Sequence, residues 1–238
     1  MLDVLAFGAH PDDIEIFAGG TIAACVRRGL RVGLVHLTRG EMGTRGSAEL
    51  RATEAADAAT ALGVASHEIL DLGDGGLHDD DVRRARVVAI LRRERPRLVL
   101  ASLAHDAHPD HAATGALVKS SSYLSGIRKF AAAESAGAAA HRPSLVLYYP
   151  SHDVLAPTLV VALTAEDVER KMRSIRAYAS QVHDPKSAAP ETRISRPEFL
   201  EAIVARMRTH GGAIGAEFGE PWCADGAIRV NALDALLA

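Results

Sequence analysis

Two short stretches of this chain bring together imidazoles and carboxylates of the kind that hold a metal. His10, Asp12 and Asp13 stand together in Gly8-Ala9-His10-Pro11-Asp12-Asp13, and His105-Asp106-Ala107-His108-Pro109-Asp110-His111 repeats the chemistry further on. Neutral imidazole and carboxylate suit a borderline divalent ion such as zinc, at about 2.0–2.2 Å from each donor. A mononuclear catalytic site needs three protein ligands and an open position, which His10, Asp13 and one histidine of the second stretch supply. Asp12 is then left beside the ion without a ligand's task, the place of a general base. Pro11 drives His10 toward extended backbone and fixes the turn that follows. Each stretch alone has a plainer reading, in which Asp12, Asp13 or Asp110 caps a helix and the histidines are solvated. The pairing of the two is far more specific than either. Iron(II) suits the same donors, so ligand type leaves the metal open.

The elements around these stretches place both at the ends of strands. The apolar run from Val4 stops at Gly8, and Ile14, Phe17, Ala18, Ile22, Cys25 and Val26 then recur at helical spacing. The run Leu98-Val99-Leu100-Ala101-Ser102 precedes the second stretch. Further strands are expected over Arg31 to Leu37, Glu68 to Leu72, Leu145 to Tyr149 and Leu159 to Leu163. Helices are expected through Ala52, Ala55, Ala59 and Leu62, over Val82 to Glu94, after the capping box at Thr164, and after Ser195. Asp79-Asp80-Asp81 reads as a helix start rather than a metal cluster. Strands alternating with helices predict an α/β domain, a doubly wound, mainly parallel, Rossmann-like sheet with helices on both faces, in one domain over residues 1–238. Open α/β sheets hold ligands at the carboxyl ends of their strands. The Ala-rich stretch from Phe130 to Pro143 carries no chemistry, and the tail from Gly219 to Val230 is too irregular to place.

With 48% hydrophobic and 24% charged residues among 238, the composition is that of an ordinary globular protein. A net charge of −3 argues against a nucleic-acid surface. No apolar run approaches the roughly 20 residues of a membrane span and no leader precedes the first strand, so a cytoplasmic protein is expected. Only two cysteines, Cys25 and Cys223, are present, which leaves neither a disulfide framework nor a thiolate metal site.

The Ala-His-Pro-Asp-Asp loop at residues 9–13 and the His-Pro-Asp-His loop at residues 108–111 resemble those of the LmbE/PIG-L-type N-acetylglucosaminyl deacetylases. Thr38-Arg39-Gly40-Glu41-Met42-Gly43-Thr44-Arg45-Gly46 and the Arg51-x-x-Glu54 helix resemble that family's substrate loop and helix. With Tyr148-Tyr149-Pro150-Ser151-His152 and Tyr178-Ala179-Ser180-Gln181, the likeness is greatest to the bacillithiol-pathway branch. The resemblance implies His10, Asp13 and His111 as metal ligands, Asp12 as base, and His108 as acid or oxyanion partner. Asp110 is expected to bond the His108 imidazole and keep it charged. The resemblance also implies Arg51 as a cation for substrate hydroxyls or carboxylates. Without it, Arg51 and Glu54 read as a surface ion pair. The implied reaction is hydrolysis of an N-acetylglucosaminyl conjugate, with N-acetylglucosaminyl malate foremost and another N-acetylated sugar or thiol conjugate as runner-up. The implied assembly is a homo-oligomer, often a hexamer in this family. A non-catalytic α/β module that binds a nucleotide or effector is the competing class.

Overall fold

Leu5 and Phe7 belong to one apolar cluster and Val4 and Ala6 to another, so the first strand, β1 (Val4–Gly8), is buried on both sides. A strand apolar on both faces belongs inside a parallel sheet covered by helices. In the computed structural model, which describes residues 1–131, 133–152 and 156–229, that is its place. β1 is followed by α1 (Asp13–Arg27), β2 (Val32–His36), α2 (Ala48–Leu62), β3 (Ser66–Ile69), α3 (Asp81–Glu94), β4 (Leu98–Ser102), α4 (Pro109–Leu124) and β5 (Leu145–Tyr149). The five strands pair in the order β3-β2-β1-β4-β5, all parallel. Ile14, Ala18 and Ile22 of α1 and Ala59 and Leu62 of α2 cover one face, while Val87, Ile90 and Leu91 of α3 and Leu117 and Val118 of α4 cover the other. The doubly wound α/β expectation holds.

Beyond β5 come β6 (Leu159–Leu163), α5 (Ala165–Ala177), α6 (Phe199–Gly212) and β7 (Phe218–Trp222). β6 does not extend the parallel sheet. It pairs antiparallel with β7, the segment that sequence could not place, and a single bridge between Tyr148 and Cys223 ties this small sheet to β5. β7 was hidden by Gly219 and Pro221, which interrupt any strand pattern, yet all five of its residues are buried. Glu220 reaches from it into α1. Its carboxylate accepts from the Gly20 and Thr21 N–H groups at 2.9 and 2.6 Å and from Lys171 Nζ at 2.6 Å, with both side chains almost wholly buried.

The caps are as expected at Asp80, which accepts from Arg83 N, and at Thr164 with Asp167. α6 departs from expectation, because it begins at Phe199 and not at Ser195. The Ser195 hydroxyl instead accepts from Thr192 N at 2.8 Å and tightens the turn before the helix. β3 also ends earlier than expected, where the chain turns toward Asp74. No helix among the described residues is long and apolar enough to cross a membrane.

Candidate metal centre and its cavity

β1 and β4 lie side by side, but the chain leaves β1 toward β2 on one side and leaves β4 toward β5 on the other. Their loops diverge over a crevice, the topological switch point where such sheets bind ligands. The first loop carries His10, Asp12 and Asp13, and the second carries His108, Asp110 and His111.

Asp13 sits at the centre of the group. One carboxylate oxygen lies 3.0 Å from His111 Nε2, and the other lies 3.3 Å from His10 Nδ1 while accepting from His10 N at 2.8 Å. One donor atom from each of His10, Asp13 and His111 falls within a common span of 4.8 Å. Donors at about 2.0–2.2 Å from one tetrahedral ion would be separated by similar edges. The outer nitrogens are also engaged. His10 Nε2 faces Asp74 at 3.0 Å and Asp110 at 3.2 Å, and His111 Nδ1 faces Ser151 Oγ at 3.1 Å and Asp106 at 3.4 Å. Carboxylates behind histidine ligands fix the ring and leave the inner nitrogen for a metal.

The electrostatics fit a cation. Burial works against charge on His10, yet Asp13, Asp110 and Asp74 outweigh it and push the imidazole up to about 12. Burial likewise opposes charge on His111, and Asp13 with Asp106 raises it to about 9. Asp13 is held well below the carboxylate range by the two histidines despite its burial. Four carboxylates turned on two imidazoles demand positive charge between them, so the donor set fits a divalent ion.

Asp12 is the helix N-cap by position but makes no capping bond. Its backbone has φ of 109°, a region costly for any residue with a side chain, and this conformation turns its carboxylate toward Arg51 at 3.2 Å. Burial raises Asp12 to about 7, against the pull of Arg51. Arg51 is buried and does not pair with Glu54, as a surface reading had it. Its guanidinium donates to Asp12, to the Pro11 carbonyl and to Gly40 O at 3.2 Å. Glu54 accepts from Ser180 N and Oγ at 2.6 and 2.7 Å.

The expected bond from the Asp110 carboxylate to the His108 imidazole is not made. Asp110 opens α4 and its side chain points across to the loop before α3, accepting from Gly75 N at 2.7 Å and Leu77 N at 3.2 Å. His108 is itself the N-cap of α4. Its Nδ1 accepts from Asp110 N at 3.2 Å, which assigns the ring hydrogen to Nε2, and burial with two neighbouring imidazoles lowers its pKa. His105 is exposed, as its plainer reading had it.

Sequence reasoning missed Asp74, Asp106 and Ser151. Asp106 carried a signal in its place inside the second cluster, and it accepts from His152 Nδ1 at 2.8 Å, Ser151 Oγ at 2.5 Å and His108 N at 2.8 Å. Asp74 had only its turn context. In front of the centre lies a cavity of about 680 Å³, lined by His10, Asp12, Asp13, Arg51, His108 and His111 at one end. His152 lines it as well.

Fold and cavity together define an α/β protein with a cluster of imidazoles and carboxylates at a switch point. A family model described as PIG-L, GlcNAc-PI de-N-acetylase, matches residues 5–122. Diacetylchitobiose deacetylase of Thermococcus kodakarensis is 33% identical over 189 residues, which are 75% of this chain and 69% of that protein. A probable N-acetyl-alpha-D-glucosaminyl L-malate deacetylase of Bacillus cereus is 31% identical over 128 residues, 48% of this chain and 58% of that one. The solved structure of a conserved protein from Thermus thermophilus, TT1542, superposes with a TM-score of 0.84 at 34% identity, over 97% of this chain and 98% of that one. The chain belongs to the PIG-L family of de-N-acetylases. N-acetyl sugar deacetylation is the activity that this membership supports.

Proposed function

We propose that the chain removes the acetyl group from an N-acetylglucosaminyl conjugate with a divalent metal held by His10, Asp13 and His111, zinc first and iron(II) second among the candidates. The observation that carries this is the meeting of that donor set, backed by Asp74, Asp106 and Asp110, at one end of the cavity. Such an ion lowers the pKa of a water toward about 7 and polarises a carbonyl.

Asp12 takes the proton of the attacking water as the new C–O bond forms at the acetamide carbon. His108, with its Nε2–H free of the cap bond, donates to the carbonyl oxygen as charge develops there. The C–N bond then breaks, and the proton gathered by Asp12 passes to the leaving amine. Acetate and a free amino sugar result. Asp110 holds His10 and the loop at Gly75 rather than His108. Arg51 aims Asp12 and meets substrate hydroxyls only with the hydrogens that Asp12, Pro11 and Gly40 leave over.

N-acetylglucosaminyl malate is the first substrate to try, on the motifs shared with the bacillithiol branch and the name of the Bacillus cereus relative. N,N'-diacetylchitobiose is the second, on the name of the Thermococcus relative. An effector-binding module would need N–H groups and glycines facing an anion, and the carboxylates turned on this cavity repel one.

The test is amine release from both compounds with and without a chelator, alongside metal analysis of His10→Ala, Asp13→Ala and His111→Ala. Each variant is expected to lose most bound metal and most activity together. Full metal retention in all three, or amine release indifferent to the chelator, overturns the proposal.

A further inference from the structure

Part of the cavity lining is of a different character. Ile16 and Phe17 of α1, Ile194, and Phe199, Ala202 and Ile203 of α6 line it. Phe17 joins this wall to the centre, for its ring lies 6.2 Å from that of His111 and 6.1 Å from that of His152. Of the two further arginines on this side, Arg206 is committed to the fold, donating to Ser151 O at 3.0 Å and to the Pro150 carbonyl. Arg193 lines the same cavity, is exposed, and makes no ion pair or hydrogen bond among the described residues.

An acetylated sugar placed with its amide at the metal ligands does not account for this wall. Apolar surface facing a binding cavity gains by covering hydrocarbon at about 25 cal/mol per Å², and a cation with no partner at its edge favours an anion. We propose that the α6 wall is the subsite for the group carried by the sugar, and that it takes an aglycone with an apolar body bearing a carboxylate or similar anion, which Arg193 meets. This rests on the deacetylase reading for the orientation of the sugar. It moves recognition of the anion from Arg51, whose terminal nitrogens are held inside the fold, to Arg193.

The test measures binding by calorimetry and acetate release separately, on the intact metal-loaded protein, with the methyl, phenyl and 4-carboxyphenyl glycosides of N-acetylglucosamine, N-acetylglucosaminyl malate and N,N'-diacetylchitobiose. Affinity is expected to rise by about tenfold from methyl to phenyl and again from phenyl to 4-carboxyphenyl, each step being about 1.4 kcal/mol. Arg193→Gln should remove the advantage of the carboxylate while the phenyl-to-methyl ratio stays, and Phe199→Ala should shrink the phenyl-to-methyl ratio. Ala202→Glu, on the exposed face of α6, should penalise the 4-carboxyphenyl compound most. Equal affinities for all three glycosides, a uniform loss in Arg193→Gln, or tighter binding of the malate compound or the disaccharide than of 4-carboxyphenyl overturns the subsite. Acetate release without the affinity order sinks the subsite alone, whereas the affinity order without acetate release from any compound sinks the deacetylase reading and leaves the subsite standing.

Discussion

At the scale of single residues, the division of labour between Asp12 and Asp13 decides the chemistry. The two are adjacent and both buried, but the positive φ at Asp12 sends its carboxylate to Arg51 while Asp13 lies between His10 and His111. Asn tolerates the left-handed region better than most residues, so Asp12→Asn keeps the turn while removing the basic oxygen. It is expected to retain metal and fold and to lose about 10²–10⁴-fold in kcat. Metal content and steady-state rates check this, and loss of the metal would make Asp12 a ligand. The loops carrying His10, Asp12, Asp13 and His111 were legible because they stand at two strand ends that the parallel topology makes neighbours, while the choice of His111 over His108 as a ligand rested on the family resemblance. Asp110 was legible as a member of the site but not in its contacts, since a residue at the first turn of α4 can face either the cavity or the neighbouring loop. The direction is set by Gly75 and Leu77, which are remote in sequence.

At the scale of elements, α4 must sit close against the end of β4 for His111 to reach Asp13. Gly115 makes that possible. A Cβ there would stand 2.5 Å from Ser102 O and 2.6 Å from Ala104 N, backbone atoms that cannot step aside. Ser102 Oγ also donates to His111 O at 2.7 Å, so the contact and the ligand belong to one joint. Gly115→Ala is expected to destabilise by about 1–3 kcal/mol and to weaken metal binding, in contrast to Gly212→Ala, whose added Cβ meets nothing within 4 Å. Urea unfolding with and without metal separates the two effects. The strand and helix order of the first half was readable from apolar runs and their spacing. The small β6 and β7 sheet was not, because its pairing joins segments far apart in the chain and β7 carries no alternation to betray it.

At the scale of the whole molecule, the second half of the chain braces α1, the helix that grows out of the turn at His10 to Asp13. Glu220 and Lys171 form a buried pair on it, and Trp222 Nε1 donates to Thr21 Oγ1 at 3.0 Å. Removing one member of a buried pair leaves the other charge without compensation, commonly at a cost of about 3–5 kcal/mol. Glu220→Gln is expected to lose stability on that scale, read as a lower denaturation midpoint at unchanged slope. A loss below about 1 kcal/mol would mean that water reaches Lys171. None of this was visible as function in sequence, where Lys171 and Glu220 are two unremarked charges in scaffold segments.

The same pair bears on how the chain is made. The three proposed ligands are all present once residue 111 has been synthesised, but the N–H groups of Gly20 and Thr21 wait for a carboxylate 200 and 199 positions downstream. A nascent chain stalled before β7 therefore has α1 packed on the sheet while the N–H groups of Gly20 and Thr21 still lack that carboxylate. Lys171 likewise lacks its buried partner until β7, the last strand among the described residues, has emerged.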